Sequence, residues 1–313
     1  MHAIARCLSP LLAIASLSAC TWHVRENNIV IPRTAPSAEL SGLRTQFPQY
    51  RIEEARIAAA DGAQLYSLRL LRQDAVATVL YFGGNGYTIG KSAGRTAKNY
   101  ADAPVNLVLV DHRGYGASTG TASLDALLAD AVTVYDDLRK DPSLGGLPLI
   151  VHGHSLGSFM AGRVAAARTL DGLILESSVT TTEDWTTHLR SRQKWWARML
   201  VRRVAPEGAL AGKGNAEVAA GLDEPALFVV GENDDVTPPR FARALFDAAP
   251  LPEGRKRLLI VPGRDHLSAA DSPDFRAVLA AWVAEKQTAP AAGALPSKPF
   301  APLDERAPST NHP

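Results

Sequence analysis

The sequence predicts an α/β fold with a mostly parallel central sheet, helices on both faces and a short helical insertion near one rim. Three observations predict it. Continuous apolar runs of strand length, such as residues 76–82 (VATVLYF) and 105–110 (VNLVLV), read as strands covered on both faces. Stretches of helical period separate them, the clearest being 123–140, where Leu124, Leu127, Leu128, Ala131, Val134, Tyr135 and Leu138 share one face. The third is residues 147–163, LPLIVHGHSLGSFMAGR, in which an apolar run enters Gly153-His154-Ser155-Leu156-Gly157 and leaves as a helix.

In chain order, residues 1–19 read as an export leader: a short basic start, an apolar stretch at 11–17 too short to span a bilayer, and the small-residue sequence Leu17-Ser18-Ala19-Cys20. That last stretch resembles the lipobox of bacterial lipoproteins, which implies lipidation of Cys20, membrane attachment through it, and a place in the bacterial cell envelope. Thr21 in second place implies the outer membrane, facing the periplasm. The only other cysteine is Cys7, so a domain that begins after Cys20 has no disulfide to form. Residues 20–51 are polar and hold Pro32, Pro36 and Pro48, and read as a lipidated cysteine followed by a tether.

The domain is expected over 52–286. Asp61-Gly62 joins two antiparallel opening strands at 52–60 and 64–71. Strand 76–82 leads through Gly83-Gly84-Asn85-Gly86 to a helix at 89–100, and strand 105–110 leads to Asp111-His112-Arg113-Gly114-Tyr115-Gly116. After the elbow and a short strand at 172–175 the alternation stops. The interval 177–224 reads as a cap insertion, with Trp185, Trp195 and Trp196, and with six basic and no acidic residues between His188 and Val204. That basic stretch suits either an anionic lipid surface or a cap helix with solvated arginines. Strand 226–230, helix 239–248, strand 257–261 and helix 273–286 follow, and the Pro- and Ala-rich residues 287–313 are expected to be disordered.

A serine becomes a nucleophile only with a base to take its proton and a carboxylate to orient that base. Ser155 sits at the tip of the turn, the strand at 226–230 ends in Gly231-Glu232-Asn233-Asp234-Asp235, and the strand at 257–261 ends in Pro262-Gly263-Arg264-Asp265-His266. Of the eight histidines only His266 lies in the turn after the last strand, His312 belonging to the tail, so it is the candidate base. Spacing from Gly231 favours Asp234 as the acid, with Asp235 the alternative and Asp265 too close in sequence to reach its neighbour's ring. The backbone amides of Leu156 and of Asn85, in the loop after 82, are the candidate oxyanion hole.

These motifs, in the order serine, acid, histidine and each at a strand's carboxyl end, resemble the α/β-hydrolase fold over about residues 52–286. The loop at 80–86 with the Asp111 turn is similar to the BEM46-like and serine-aminopeptidase-like branch, which includes lipid esterases and protein depalmitoylases; its members usually carry His-Gly-Asn where this chain has Gly83-Gly84-Asn85. The resemblance implies a monomeric serine hydrolase that cleaves carboxylic esters or thioesters of acyl substrates through an acyl-enzyme. A serine peptidase, with Glu183 or Asp184 holding an amine, and a catalytically inactive envelope binding protein are the alternatives. No cofactor is implied. His152-x-His154, read as two side chains on opposite sides of a strand with no Cys or Glu cluster, does not amount to a metal site. A net charge of +1 implies no nucleic-acid partner.

Overall fold

Runs of β-branched and aliphatic residues with no polar face are stable only between two apolar layers, and the central strands here are buried along their whole length. The computed structural model describes residues 20–144 and 146–288. Its strands are β1 (Cys20–Val24), β2 (Arg51–Ala58), β3 (Gln64–Leu71), β4 (Ala77–Phe82), β5 (Val105–Val110), β6 (Leu149–His154), β7 (Gly172–Glu176), β8 (Val201–Pro206), β9 (Ala226–Gly231) and β10 (Lys256–Val261). Eight form one sheet in the order β10-β9-β7-β6-β4-β5-β3-β2, and β1 pairs with β8 in a separate parallel ribbon. In the large sheet only the β2/β3 and β3/β5 pairings are antiparallel.

The helices are α1 (Leu40–Gln46), α2 (Ile89–Tyr100), α3 (Leu124–Lys140), α4 (Leu156–Ala167), α5 (Thr182–Ser191), α6 (Trp195–Leu200), α7 (Ala216–Ala220), α8 (Pro239–Ala248) and α9 (Pro273–Thr288). Side chains alternate across β4: Leu80 and Phe82 join the core beneath α3, α4 and α8, whereas Val79 and Tyr81 join the core beneath α1, α2 and α9. Local signals set the helix ends. In α3, the Ser123 hydroxyl accepts from the Ala126 amide at 3.2 Å, Asp125 lies in the first turn, and Arg139 and Lys140 lie in the last, where they complement the helix dipole.

Two expectations change. The stretch read as a tether is folded onto the domain: β1 and α1 form within it, and Val24, Val30, Leu43, Phe47 and Tyr50 are buried. These five are too widely spaced to show a period, yet each joins one of the two cores, and the Glu26 carboxylate bonds the Leu124 amide at the N-terminus of α3. The insertion is also not wholly helical, because β8 runs through it to pair with β1. The expected leader at 1–19 lies outside the described residues, as does the expected tail beyond residue 288; α9 runs two residues past the end expected for it.

Candidate active site

Parallel strands deliver their following loops to one rim. At the end of β6, Ser155 is held at φ 50°, ψ −115°, a backbone region that costs a non-glycine residue about 1–3 kcal/mol. The turn is made possible by its glycines: a methyl group on Gly153 would overlap the Gly157 carbonyl, and one on Gly157 would overlap the Phe82 carbonyl. Ser155 Oγ lies 2.9 Å from His266 Nε2, in the loop after β10. On its other edge His266 Nδ1 lies 2.9 and 3.1 Å from the two oxygens of Asp234, after β9. With Nδ1 protonated, the ring donates to the carboxylate and accepts from the serine hydroxyl.

Asp234 also accepts from the Val236 amide at 2.9 Å, the Thr237 amide at 2.7 Å and the Thr237 hydroxyl at 2.8 Å. Burial pushes its carboxyl up, but the His266 bond and charge and the Thr237 bonds outweigh it, and the net shift is downward. Asp235 points away. Its carboxylate pairs with Arg192, and its carbonyl accepts from Arg192 and from His188 Nε2, so it clasps the insertion to the acid loop. Asp265 accepts from the Leu267 amide and the Ser268 hydroxyl, a turn role away from the His266 ring.

Leu156 opens α4, so its amide has no acceptor within the helix, and it lines the same cavity as Ser155, Gly84 and Asn85. The Asn85 side chain is engaged elsewhere: its oxygen accepts from the Ile31 amide and the Tyr115 hydroxyl, which fixes the loop. In place of the histidine usual in the resembling branch, Gly83 leaves room for the Tyr87 ring, which any side chain there would strike, and His112 Nε2 donates to the Gly83 carbonyl at 2.8 Å. Asp111 and Arg113 hold the neighbouring turn. Asp111 accepts from the Ile89 and Ala117 amides, while Arg113 forks onto Asp130 and reaches Asp61.

Comparison with known proteins agrees with the fold. A family model described as serine aminopeptidase, S33, matches residues 73–220, a span that contains Ser155 but neither Asp234 nor His266. The esterase Pf2001 of Pyrococcus furiosus superposes with a TM-score of 0.61 at 12% identity, covering 81% of this chain and 98% of that one. The chain has the α/β-hydrolase fold. Protein bem46 of Schizosaccharomyces pombe is 26% identical over 268 residues, 80% of this chain and 84% of the relative. An uncharacterized membrane protein of Saccharomyces cerevisiae is 25% identical over 261 residues, 83% of this chain and 89% of the relative.

Two cavities share Gly84, Asn85, His154 and Leu267 as walls and so meet next to Ser155. One, of about 290 Å³, is walled mainly by apolar groups: Ile29, Leu156, Phe159, Val179, Trp185 and Val236. The other, of about 230 Å³, is more polar and is lined by Ser92, Arg95, Thr96, Asn99 and Asp271, with Arg95 and Asn99 both bonded to Asp271. Asn28 and Ile29 of the first wall carry no sequence signal, because their segment lacks a hydrophobic period. Ser177, which follows β7 at φ 50°, lines the same cavity. A short strand ending in Glu-Ser-Ser at the same rim was the available signal.

His152 and His154 require a correction. Residues two apart on a strand share a side, and both rings lie against buried Glu176: His152 Nε2 is 3.2 Å from its carboxylate, and His154 adds favourable charge. Against the burial that would raise it, His154, His152 and the Ala270 amide hold the Glu176 carboxyl well below the usual range. His154 Nε2 in turn donates to the His266 carbonyl at 2.9 Å, so this cluster grips the loop of the candidate base at residues 266 and 270. Among the described residues no group of three or more His, Cys, Asp or Glu is arranged to hold a metal ion.

Proposed function

We propose that this chain is a serine hydrolase of carboxylic esters or thioesters acting through an acyl-enzyme. The observation that carries the proposal is the hydrogen-bonded chain Ser155–His266–Asp234 opening on an apolar cavity. His266 Nε2 takes the Ser155 proton as Oγ attacks the acyl carbonyl, and Asp234 stabilises the imidazolium that forms. The carbonyl oxygen gains negative charge and is received by the amides of Leu156 and Asn85. The proton then passes from His266 to the leaving alcohol or thiol. Water, deprotonated by the same ring, releases the acid and restores Ser155. This chemistry is complete without a cofactor, and one chain carries every group it uses.

The substrate fits as two halves. The acyl chain enters the cavity of Phe159, Val179 and Trp185, and the polar leaving group lies toward Arg95, Asn99 and Asp271. The ester reading is favoured over the peptidase reading by the ties of the candidate amine-binding acids. Glu183 accepts from the Gly212 amide and Asp184 from the Thr180 hydroxyl, and neither lines either cavity. Rates on p-nitrophenyl esters of graded chain length, beside aminoacyl-p-nitroanilides, test this. Ester turnover that rises with acyl length to the capacity of the cavity is the expected result, and faster anilide turnover would reject it.

The cellular setting is proposed on sequence grounds: Cys20 is lipidated and holds the domain at the bacterial outer membrane on its periplasmic side, where it works as a monomer. Each buried methylene of the attached chains adds roughly 0.8 kcal/mol to membrane affinity. In the Cys20→Ala variant the mass of the attached lipid should vanish from the mature protein, whereas an unchanged mass would remove the anchor.

A further inference from the structure

Four large apolar side chains stand exposed in the six residues of α6: Trp195 at 69%, Trp196 at 51%, Met199 at 68% and Leu200 at 64%. Apolar groups scattered singly on a surface need no explanation, but four in one short helix form a patch of the kind that marks an interaction site. The patch is surrounded by cations. Arg192, Lys194, Arg198, Arg202 and Arg203 are exposed, and residues 188–204 contain no acid. Arg192 is neutralised by Asp235, and nearby Glu207 by Arg25. Among the described residues no ion pair reaches Lys194, Arg198, Arg202 or Arg203. The third observation is topological. The β1/β8 pairing sets the backbone of Cys20 beside Val201, the residue that follows Leu200, and sets half-exposed Trp22 beside Val204. The chain thus enters the fold next to the patch.

We infer that α6 and its basic flanks are a docking surface for a bilayer with anionic headgroups. The tryptophan, methionine and leucine side chains enter the interfacial layer, and the unpaired cations meet the phosphates. This surface is distinct from a lipid on Cys20 and acts whether or not that residue is acylated. An acyl anchor alone fixes only a point. A second contact beside it fixes how the domain lies on the membrane, and the same insertion carries Trp185 of the cavity wall.

The test uses the full chain carrying Cys20→Ala, mixed with vesicles of phosphatidylglycerol and phosphatidylcholine whose acyl chains are brominated to quench tryptophan emission. Emission should fall on binding. In Trp195→Phe/Trp196→Phe the remaining tryptophans should show no comparable loss, although the protein still sediments with the vesicles. Lys194→Glu/Arg198→Glu/Arg202→Glu should weaken partition onto these vesicles at least ~10-fold, with an unchanged thermal midpoint, and leave binding to pure phosphatidylcholine as it was. Bound protein whose Trp195 and Trp196 stay unquenched overturns the inference, as does charge reversal without effect. A dimer that forms without vesicles and is abolished by the tryptophan substitutions would show a second copy to be the occupant, and would also overturn it.

Discussion

Asp234 and Asp235 are neighbours of identical chemistry in opposite circumstances. The Asp234 side chain is fully buried and gathers two amides, a hydroxyl and the His266 ring, whereas the Asp235 side chain is 66% exposed and holds Arg192. Asp234→Asn is expected to lower kcat on a p-nitrophenyl ester by roughly 10³–10⁴, since an amide disturbs the tautomer of the ring. Asp235→Asn is expected to stay within about threefold, because an exposed ion pair contributes little. The opposite ranking would reassign the acid. At this scale much was legible: Ser155 and His266 were named by the turns that hold them, and Gly231 set the count that favoured Asp234. Glu176 was not legible. Its part depends on His152, His154 and the loop after β10 meeting across separate strands, which no local spacing reports.

Asp111 shows what one buried group does for whole elements. It ties the first turn of α2 to the loop after β5, and burial raises its carboxyl to about 6 despite the bonds from Ala117 and Ile89. The folded state therefore holds this proton more tightly than the unfolded chain does. The associated stability is fully present below the unfolded value of 3.8 and is lost as pH rises through about 6, amounting to about 3 kcal/mol at most. Urea unfolding from pH 4 to 7 should show this falling component in the wild type and not in Asp111→Asn. The variant should also be about 1–3 kcal/mol weaker near neutral pH, because its NH₂ group faces an amide donor. Identical pH profiles would remove the assignment. Among elements, the sheet strands were readable because burial on both faces writes itself as unbroken apolar runs. The β1/β8 ribbon was hidden, since its partners lie far apart in sequence and β8, Val-Arg-Arg-Val-Ala-Pro, shows no apolar/polar alternation.

At the scale of the molecule, parallel topology does the gathering. Loops after β4, β6, β7, β9 and β10 reach one rim, and residues more than a hundred positions apart, such as Ser155 and His266, come within 2.9 Å. The N-terminal segment and the insertion close over that rim from two sides through Ile29 and Trp185. The order of strands and helices and the insertion as a cap were visible in the sequence, but the share of the N-terminal segment in the closure was not, because it is set by long-range packing rather than by period. The central claim is that this rim makes Ser155 a nucleophile, and covalent capture tests it most directly. Treated with a fluorophosphonate and digested, the protein should carry one adduct, on the peptide that contains Ser155. Labelling should be absent in Ser155→Ala and strongly slowed in His266→Ala. Equal labelling of wild type and Ser155→Ala, or an adduct on another residue, would contradict the account.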